Sequence, residues 1–441
     1  MHKNVVIGLD GLDPGLVNKW IDELPNIGRL IQEGTFKKMK STIPPITVPA
    51  WMSMFSGKDP GELDAFDFQF FDKTSKKFRI FNSNYWKKHM IWSSSTKKWC
   101  VIDVPGTYPP YEIKGYVKGG FLSINSKETF PKGLMQEFEK DNSPLETDDC
   151  TNAVSFSQKS AILKKNLTEN MRFVRWLFSS KEWDNFIFVI RLTDETMHIA
   201  ENIEQIKDAY KFADAQIKQF IDDSLQGKYS LFITSDHGCK EVSHKFYLNN
   251  WLMNTGYLYI DRNTSFVKEN IIRFSNVLLN LGMKPLLEAA NKAFSSIKGK
   301  SFFQPTLPIT EQAIDWNKTK AFAQVTGASS FIGIWINPEK NSKKIKNNLI
   351  SDLKTIKEIV NVYKKEDIYS QTQAKNLPDL IVQLDKEFVA LSGISPETIT
   401  KRKAFVHDQY GVFISSRTDL NRANADMLIT DFARHLTDIK R

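Results

Sequence analysis

The chain has 441 residues, a formal charge of +9, 41% hydrophobic residues and 25% charged residues, proportions that permit a sizeable apolar core and exclude a disordered or low-complexity chain. Its longest apolar runs, 186–190 and 331–336, fall far short of the roughly 20 residues that span a bilayer, and the N-terminal run meets Asp10 too soon for a secretory signal, so a cytoplasmic protein is expected. Cys100, Cys150 and Cys239 are too scattered for a disulfide framework or a Cys-rich metal knuckle, and the lysines are dispersed through segments such as 340–346 and 354–365, which reads as a solvated surface and not as a nucleic-acid patch.

The first element is Val5-Val6-Ile7-Gly8-Leu9, a β-branched run that delivers Asp10 into a turn with Gly11. Ser41-Thr42-Ile43-Pro44-Pro45-Ile46 is stiffened by prolines and leads to a helix over Ala50 to Phe55, with Thr47 at or near its N-cap and Pro49 in the first turn. Aromatic residues Phe66, Phe68, Phe70, Phe71, Tyr85, Trp86 and Trp92 follow, most of them expected in the core. Two later runs repeat the opening pattern. Phe186-Ile187-Phe188-Val189-Ile190 precedes Thr193-Asp194, and Ser230-Leu231-Phe232-Ile233-Thr234 precedes Ser235-Asp236-His237-Gly238, with a helical stretch, 201–225, between them.

Apolar runs without alternation, separated by helices, predict a three-layer α/β sandwich, with a mostly parallel central sheet and helices on both faces. Polar strand ends converge at one edge of such a sheet, so three strands that each finish near an aspartate are placed to share a site. Apolar spacing over 265–300 predicts two amphipathic helices joined near Gly282 and Pro285, a small lid. The expected organisation is a catalytic core over 1–260 with substrate-side loops at 65–150, the lid at 261–312, and the rest of the core at 313–441. Strand-like runs at 321–325, 331–336 and 411–414 are expected to return the chain to the main sheet.

Asp194 and His198 are four apart, so on a helix both face one cation; by themselves they equally suit an N-cap and a surface histidine. Asp236 and His237 can reach one metal from a turn that Gly238 keeps tight, although an Asx-turn explains the aspartate too. Thr47 is either a helix cap or a hydroxyl beside an anion-binding helix end. His407 has no distinctive neighbours of its own. His244-Lys245 follows the Asp236-His237 turn closely enough to reach the pocket, but an exposed loop explains the pair equally well.

Taken in order, Gly-Leu-Asp-Gly at 8–11, Thr-Val-Pro-Ala-Trp at 47–51, Asp194 with His198, Asp236-His237-Gly238 and His407 resemble the type I phosphodiesterase and nucleotide pyrophosphatase branch of the alkaline phosphatase superfamily. Ser56-Gly57-Lys58-Asp59-Pro60, Ile314-Asp315-Trp316 with Thr319-Lys320-Ala321-Phe322, and Pro378-Asp379-Leu380-Ile381-Val382 look like that branch as well. The resemblance implies two divalent metal ions, zinc in this family, with a donor set that also admits manganese or iron. Asp194, His198 and His407 would hold one ion; Asp10, Asp236, His237 and the Thr47 oxygen would hold the other. It further implies a phosphodiesterase or nucleotide pyrophosphatase that works through a phosphothreonine at Thr47, on a small phosphate ester or nucleotide, with no nucleic acid as structural partner.

The chain departs from the branch in having Leu63-Asp64 where many relatives have His-Gly, and Phe68 where nucleotide pyrophosphatases place a phosphate-binding asparagine. A phosphomonoesterase or phosphonate hydrolase on the same scaffold is therefore the alternative enzyme. A catalytically degenerate phosphate-ligand binding protein is the alternative outside enzymes. The sulfatase chemistry of the superfamily is set aside, because Thr47 cannot become formylglycine and Trp51 stands at that motif's arginine position.

Overall fold

The computed structural model describes residues 3–120, 127–150, 153–224, 229–261, 313–370, 374–395, 397–422 and 426–437. The lid expected at 261–312 lies, apart from Asp261, outside the described residues. In chain order the strands are β1 (Lys3–Leu9), β2 (Thr35–Lys40), β3 (Gln69–Asp72), β4 (Lys77–Ile80), β5 (Trp99–Pro105), β6 (Gly115–Gly120), β7 (Thr129–Phe130), β8 (Asn185–Ile190) and β9 (Tyr229–Thr234). They continue with β10 (Gly238–Tyr247), β11 (Ala321–Gln324), β12 (Phe331–Ile336), β13 (Ile359–Lys364), β14 (Leu380–Leu384), β15 (Phe388–Leu391), β16 (Ile399–Asp408), β17 (Tyr410–Ser415) and β18 (Met427–Leu428).

The main sheet runs β18-β2-β17-β9-β1-β8-β5-β6-β7. Its centre, β9-β1-β8-β5-β6, is parallel throughout, and β17 and β7 enter antiparallel. Both faces are buried, which is why the central runs do not alternate with polar residues. Val5, Ile7, Leu9, Phe186, Phe188 and Ile190 point into one core, with Tyr210, Ile217 and Phe220 of helix Ile203–Ser224 and Met171, Val174 and Leu177 of helix Phe156–Ser180. Val6, Ile187 and Val189 point into the other, against Trp51, Met54 and Phe55 of helix Thr47–Ser56. The expected α/β architecture, a large and mostly parallel sheet flanked by helices, is the one observed.

Two expectations about the sheet need correction. The runs at 321–325 and 331–336 do not rejoin it: β11 and β12 belong to a separate antiparallel sheet, β11-β12-β14-β13, whose core includes Ile332, Ile334, Ile336 and Leu349. Of the three runs only β17 returns, pairing with β2 and β9. An apolar run records that a strand is buried but not which strand it pairs with, and this second core buries β12 as fully as the first would have. Within 65–150, expected to supply substrate-side loops, β5, β6 and β7 instead extend the main sheet, while Phe68 and Thr147 to Cys150 do line the cleft described below. Phe66, Phe70, Phe71, Trp86 and Trp92 are buried, whereas Tyr85 is exposed. Among the described residues no helix is long and apolar enough to cross a membrane.

Candidate active site

Strands β9, β1 and β8 lie side by side, with Gly8 opposite both Val189 and Thr234, so their C-terminal ends stop at one level. Each then releases a carboxylate. Asp10 follows β1 directly, Asp236 comes two residues after β9, and Asp194 is the third residue of helix Leu192–Ile199. Gly11 takes a positive φ of 70°, cheap for a residue without a side chain, and its N–H donates to Asp236 Oδ1 at 3.3 Å. The Ser235 hydroxyl accepts from Leu12 N (2.9 Å) and donates to the His237 carbonyl (2.6 Å), fixing the turn that carries both ligands. Gly238 is needed for a close approach: a Cβ there would lie 2.2 Å from the Tyr410 carbonyl oxygen.

Helix Thr47–Ser56 begins at Thr47, three residues before the expected start, because the fixed φ of Pro49 suits the first turn. Ile46 is the N-cap and no side chain caps the helix. The Thr47 hydroxyl is therefore not spent on capping; its Oγ1 lies 3.4 Å from His237 Nε2. One turn on, Trp51 donates from Nε1 to Asp10 Oδ2 at 3.3 Å. Gly8 makes room for that indole, since a Cβ at residue 8 would sit 2.5 Å from Trp51 Cη2.

The side chains gather in two groups, Asp194 with His198 and His407, and Asp10 with Asp236 and His237, each with ligand atoms within 4.8 Å of one another. His407 comes from the end of β16, far away in sequence, and its ring stacks on His237 with centroids 3.8 Å apart. His407 Nδ1 lies 2.8 Å from the Pro45 carbonyl and His237 Nδ1 lies 3.0 Å from the Gly238 carbonyl. A carbonyl only accepts, so both Nδ1 atoms carry a proton and both rings turn Nε2 inward. Each Nε2 faces carboxylates: His237 Nε2 is 3.2 Å from Asp236 Oδ2 and 3.5 Å from Asp10 Oδ1, and His407 Nε2 is 3.4 Å from Asp194 Oδ1.

The carboxylates of Asp10, Asp194 and Asp236 repel one another without a cation between them. Asp10 Oδ1, Asp194 Oδ1 and Asp236 Oδ2 are buried and receive no hydrogen bond, the condition that metal coordination would relieve. Burial, then the charge of Asp194, holds Asp10 well above the usual carboxylate range; burial, with Asp10 and Asp194, does the same to Asp236. Burial also acts to raise Asp194, but His198 and His407 outweigh it and draw that carboxyl well below its usual range. Burial and then His407 push the His237 imidazole well below its ordinary value. Each of the two groups thus offers a donor set that could hold a metal ion. The groups differ in access: Asp10, Asp236 and His237 are at most 1% exposed, whereas the His198 side chain is 36% exposed, so the Asp194 group is the more open of the two.

That cleft has a volume of about 880 Å³ and is lined by Asp10, Thr47, Asp194, His198 and His407 together with Phe68, Arg191 and Thr326. His244 and Lys245 do not line it; His244 stacks on Phe388, and its Nδ1 meets the Ser243 hydroxyl. Lys58 pairs with Glu62 (3.2 Å) beside the end of the Thr47 helix. Leu63 is buried, and Asp64 holds the Asn376 backbone N and Nδ2, so these departures from the branch serve packing. The sequence motif holds Trp51 but does not show its bond to Asp10, although a spacing of four from Thr47 puts both on one helix face. Sequence reading passed over Arg191, which stands between β8 and the helix of Asp194.

Asp67 was passed over as well. Its buried carboxylate accepts from Thr326 N (2.6 Å), from the Thr326 hydroxyl and from Phe68 N (2.6 Å). Two residues beyond Thr326, the Ala328 carbonyl accepts from His407 N at 2.8 Å. Asp67 therefore fastens the segment on which His407 rests. Asp67→Ala leaves the Thr326 donors without their partner and is expected to cost about 1–3 kcal/mol in denaturant titration. It is also expected to lower activity about 10–100-fold, as outer-shell losses do. Parent-like activity in a destabilised Asp67→Ala protein would show that the segment plays no part in placing His407.

The family described as Type I phosphodiesterase / nucleotide pyrophosphatase has a sequence model that matches residues 4–410. A comparison with curated proteins found no match. Among solved structures, phosphonoacetate hydrolase from Sinorhizobium meliloti 1021 in complex with phosphonoformate is similar with a TM-score of 0.63 at 12% identity, covering 99% of this chain and 95% of that one. Human ectonucleotide pyrophosphatase / phosphodiesterase 5 is similar with a TM-score of 0.56 at 14% identity, covering 99% and 94%. An inactive variant of the murine protein in complex with AMP gives 0.55 at 14%, covering 99% and 95%. At these identities the structures speak for the fold.

Proposed function

We propose, from the premise that the chain belongs to the type I phosphodiesterase / nucleotide pyrophosphatase family and is a phosphoric ester hydrolase, that it is a two-metal enzyme in which Thr47 attacks phosphorus. The observation that carries this reading is the convergence of inward imidazole nitrogens and donor-less carboxylate oxygens in two groups, one of which meets the Thr47 hydroxyl through His237. Asp10, Asp236 and His237, with Thr47 Oγ1, would hold one ion, and Asp194, His198 and His407 the other. Bound there, zinc or a similar ion supplies Lewis acidity, which lowers the pKa of an oxygen nucleophile and offsets charge on a phosphoryl group.

The chain's own residues do the rest. Thr47 starts a helix, so its Oγ1 stands beside the free amides and the positive dipole end that favour a phosphoryl oxygen. Trp51 steadies Asp10, and the Pro45 and Gly238 carbonyls lock the two imidazoles with Nε2 inward. Oγ1, its proton released to water, bonds to phosphorus as the leaving oxygen departs opposite it with the bonding electron pair and is protonated by water where it is basic enough, giving a phosphothreonine. Water from the open His198 side then cleaves the Oγ1–P bond and restores the hydroxyl. Neither step calls on a side chain as general base.

Phosphodiesters and nucleotide pyrophosphates are the first substrates to try; a phosphonate or monoester is the second reading, favoured by Phe68 on the cleft wall where the branch places an asparagine. Zinc- or manganese-loaded protein is expected to release nitrophenolate from bis(p-nitrophenyl) phosphate or p-nitrophenyl phosphate. Chelation should abolish the release, and either ion should restore it. A protein that stays near-empty by elemental analysis after incubation with both ions would instead be a degenerate phosphate binder.

A further inference from the structure

The ligand aspartates emerge at the ends of β1, β8 and β9, and the next parallel strand of the sheet, β5, also carries an aspartate near its end. β5 pairs with β8 as far as Ile102 opposite Phe188, and Asp103 follows. Its backbone takes a left-handed φ of 55°, a region that disfavours any residue with a side chain, and the register of β5 against β6 shifts at the same place. Backbone strain of this kind persists where the surroundings over-determine it, and it concentrates near ligand sites.

The Asp103 carboxylate is held from behind by a buried cation. Lys118, on β6, is 2% exposed, and its Nζ donates to Asp103 Oδ1 and, at 3.4 Å, to Asn170 Oδ1 of helix Phe156–Ser180. Such a pair is weak support for stability, because desolvation of both ions offsets most of their attraction.

On its open side Asp103 lines a cavity of about 190 Å³ together with Arg191 and Glu195. Glu195 Oε1 lies 3.3 Å from Arg191 Nη2. Glu195, then Asp103, Asp10 and Asp194, hold the Arg191 guanidinium above its ordinary range against the opposing effect of burial. Charge therefore alternates along Lys118, Asp103, Arg191 and Glu195, with Asp103 between two cations. Asp148 shares the cavity wall but is engaged by Lys165 at 2.8 Å, and the cleft beyond adds Asp149 and Lys159. Arg191 occupies the N-cap position of helix Leu192–Ile199, with Asp194 and Glu195 in its first turn. The row thus ends at the turn that aims Asp194 and, four residues on, His198.

We propose that Asp103, braced by Lys118, is a positioning residue for the Asp194 ligand group: it balances the charge of Arg191 and so steadies the helix turn that carries Asp194 and His198. The inference rests on the two-metal reading and adds a residue to it. Asp103 is assigned no place among the ligands or the reacting atoms.

The test is a double-mutant cycle of Asp103→Asn and Arg191→Met. It is read as zinc affinity, by competition with a chromophoric chelator, and as kcat/KM on bis(p-nitrophenyl) phosphate. Asparagine tolerates the left-handed backbone and still offers Lys118 an oxygen, so Asp103→Asn removes little but the charge. It is expected to weaken zinc binding about tenfold and to lower kcat/KM on the same scale, as the loss of an outer-shell partner does. In the Arg191→Met background the same change should cost less than about twofold, because the cation that Asp103 balances is gone. Equal losses in both backgrounds mean a purely structural aspartate and overturn the inference, as does parent-like zinc affinity in Asp103→Asn. Should Asp103→Asn fold poorly, the neutral pair Asp103→Asn with Lys118→Met leaves no buried lysine unpaired and enters the cycle with the same expected outcomes. A parent that binds no zinc fails the two-metal reading and takes this inference with it, whereas a parent that binds zinc no better than Asp103→Asn fails this inference alone.

Discussion

Thr47→Ala in the metal-loaded protein is expected to lower phosphoester hydrolysis about 10,000-fold or more, the scale on which loss of a covalent nucleophile acts. The size follows from where the hydroxyl stands. Thr47 Oγ1 is the hydroxyl that meets His237 Nε2 where the two ligand groups converge. The change should be nearly silent in stability, because Ile46, not Thr47, occupies the cap position and no side-chain capping bond is lost. Thr47→Ser keeps the hydroxyl and should retain activity within about tenfold of the parent. A rapid acid quench with phosphorus-labelled substrate should leave label on the parent chain and none on Thr47→Ala. Residual activity in Thr47→Ala within tenfold of the parent, or label remaining on it, would remove the threonine from the mechanism.

The second large effect concerns Asp236. It is fully buried; Oδ1 accepts from Gly11 N, while Oδ2 lacks a donor, so in the metal-free protein Oδ2 adds crowding without a bond in return. Asp236→Asn is expected to lose most of the ion held by the Asp10 group and to reduce turnover about 1,000-fold or more, as loss of preorganised charge stabilisation does. Stability should show the opposite asymmetry. The metal-free variant should melt no lower than the metal-free parent, because a neutral amide in that position relieves the repulsion with Asp10 and Asp194. Added zinc should then raise the midpoint of the parent far more than that of the variant, since a ligand stabilises the fold in proportion to its affinity for it. Equal zinc stabilisation in both proteins would mean that Asp236 is not a ligand.

The two variants separate roles that a single activity loss would merge. Thr47→Ala should keep its metal and lose its chemistry, whereas Asp236→Asn should lose metal first. Asp67 sits between these cases. It touches neither ion nor substrate, but it ties Thr326 and, through Ala328, the backbone of His407, so its loss should register in stability and in activity together.

Much of this molecule was legible along the chain because its chemistry is attached to strand ends. A buried parallel strand leaves an unbroken apolar run, and the polar residue after it must emerge at the sheet edge; Asp10, Asp194 and Asp236 could therefore be located before any coordinates. Local turn geometry likewise kept His237 beside Asp236, and helical spacing kept His198 beside Asp194. What the order of residues could not supply was pairing at a distance. Whether β12 joined the main sheet or built another depended on which core received its side chains, and both cores are equally apolar. His407 has no local signature, because its position comes from β16 lying against β10 and from the Pro45 carbonyl taking its Nδ1 proton. Asp67 acquired its role, and Trp51 its bond to Asp10, only in three dimensions, since a fastening or a hydrogen bond of this kind is a relation between segments. Sequence sets what each strand end can offer, while the packing of separate segments sets which of those offers meet, because distances between remote residues are fixed only when the core closes.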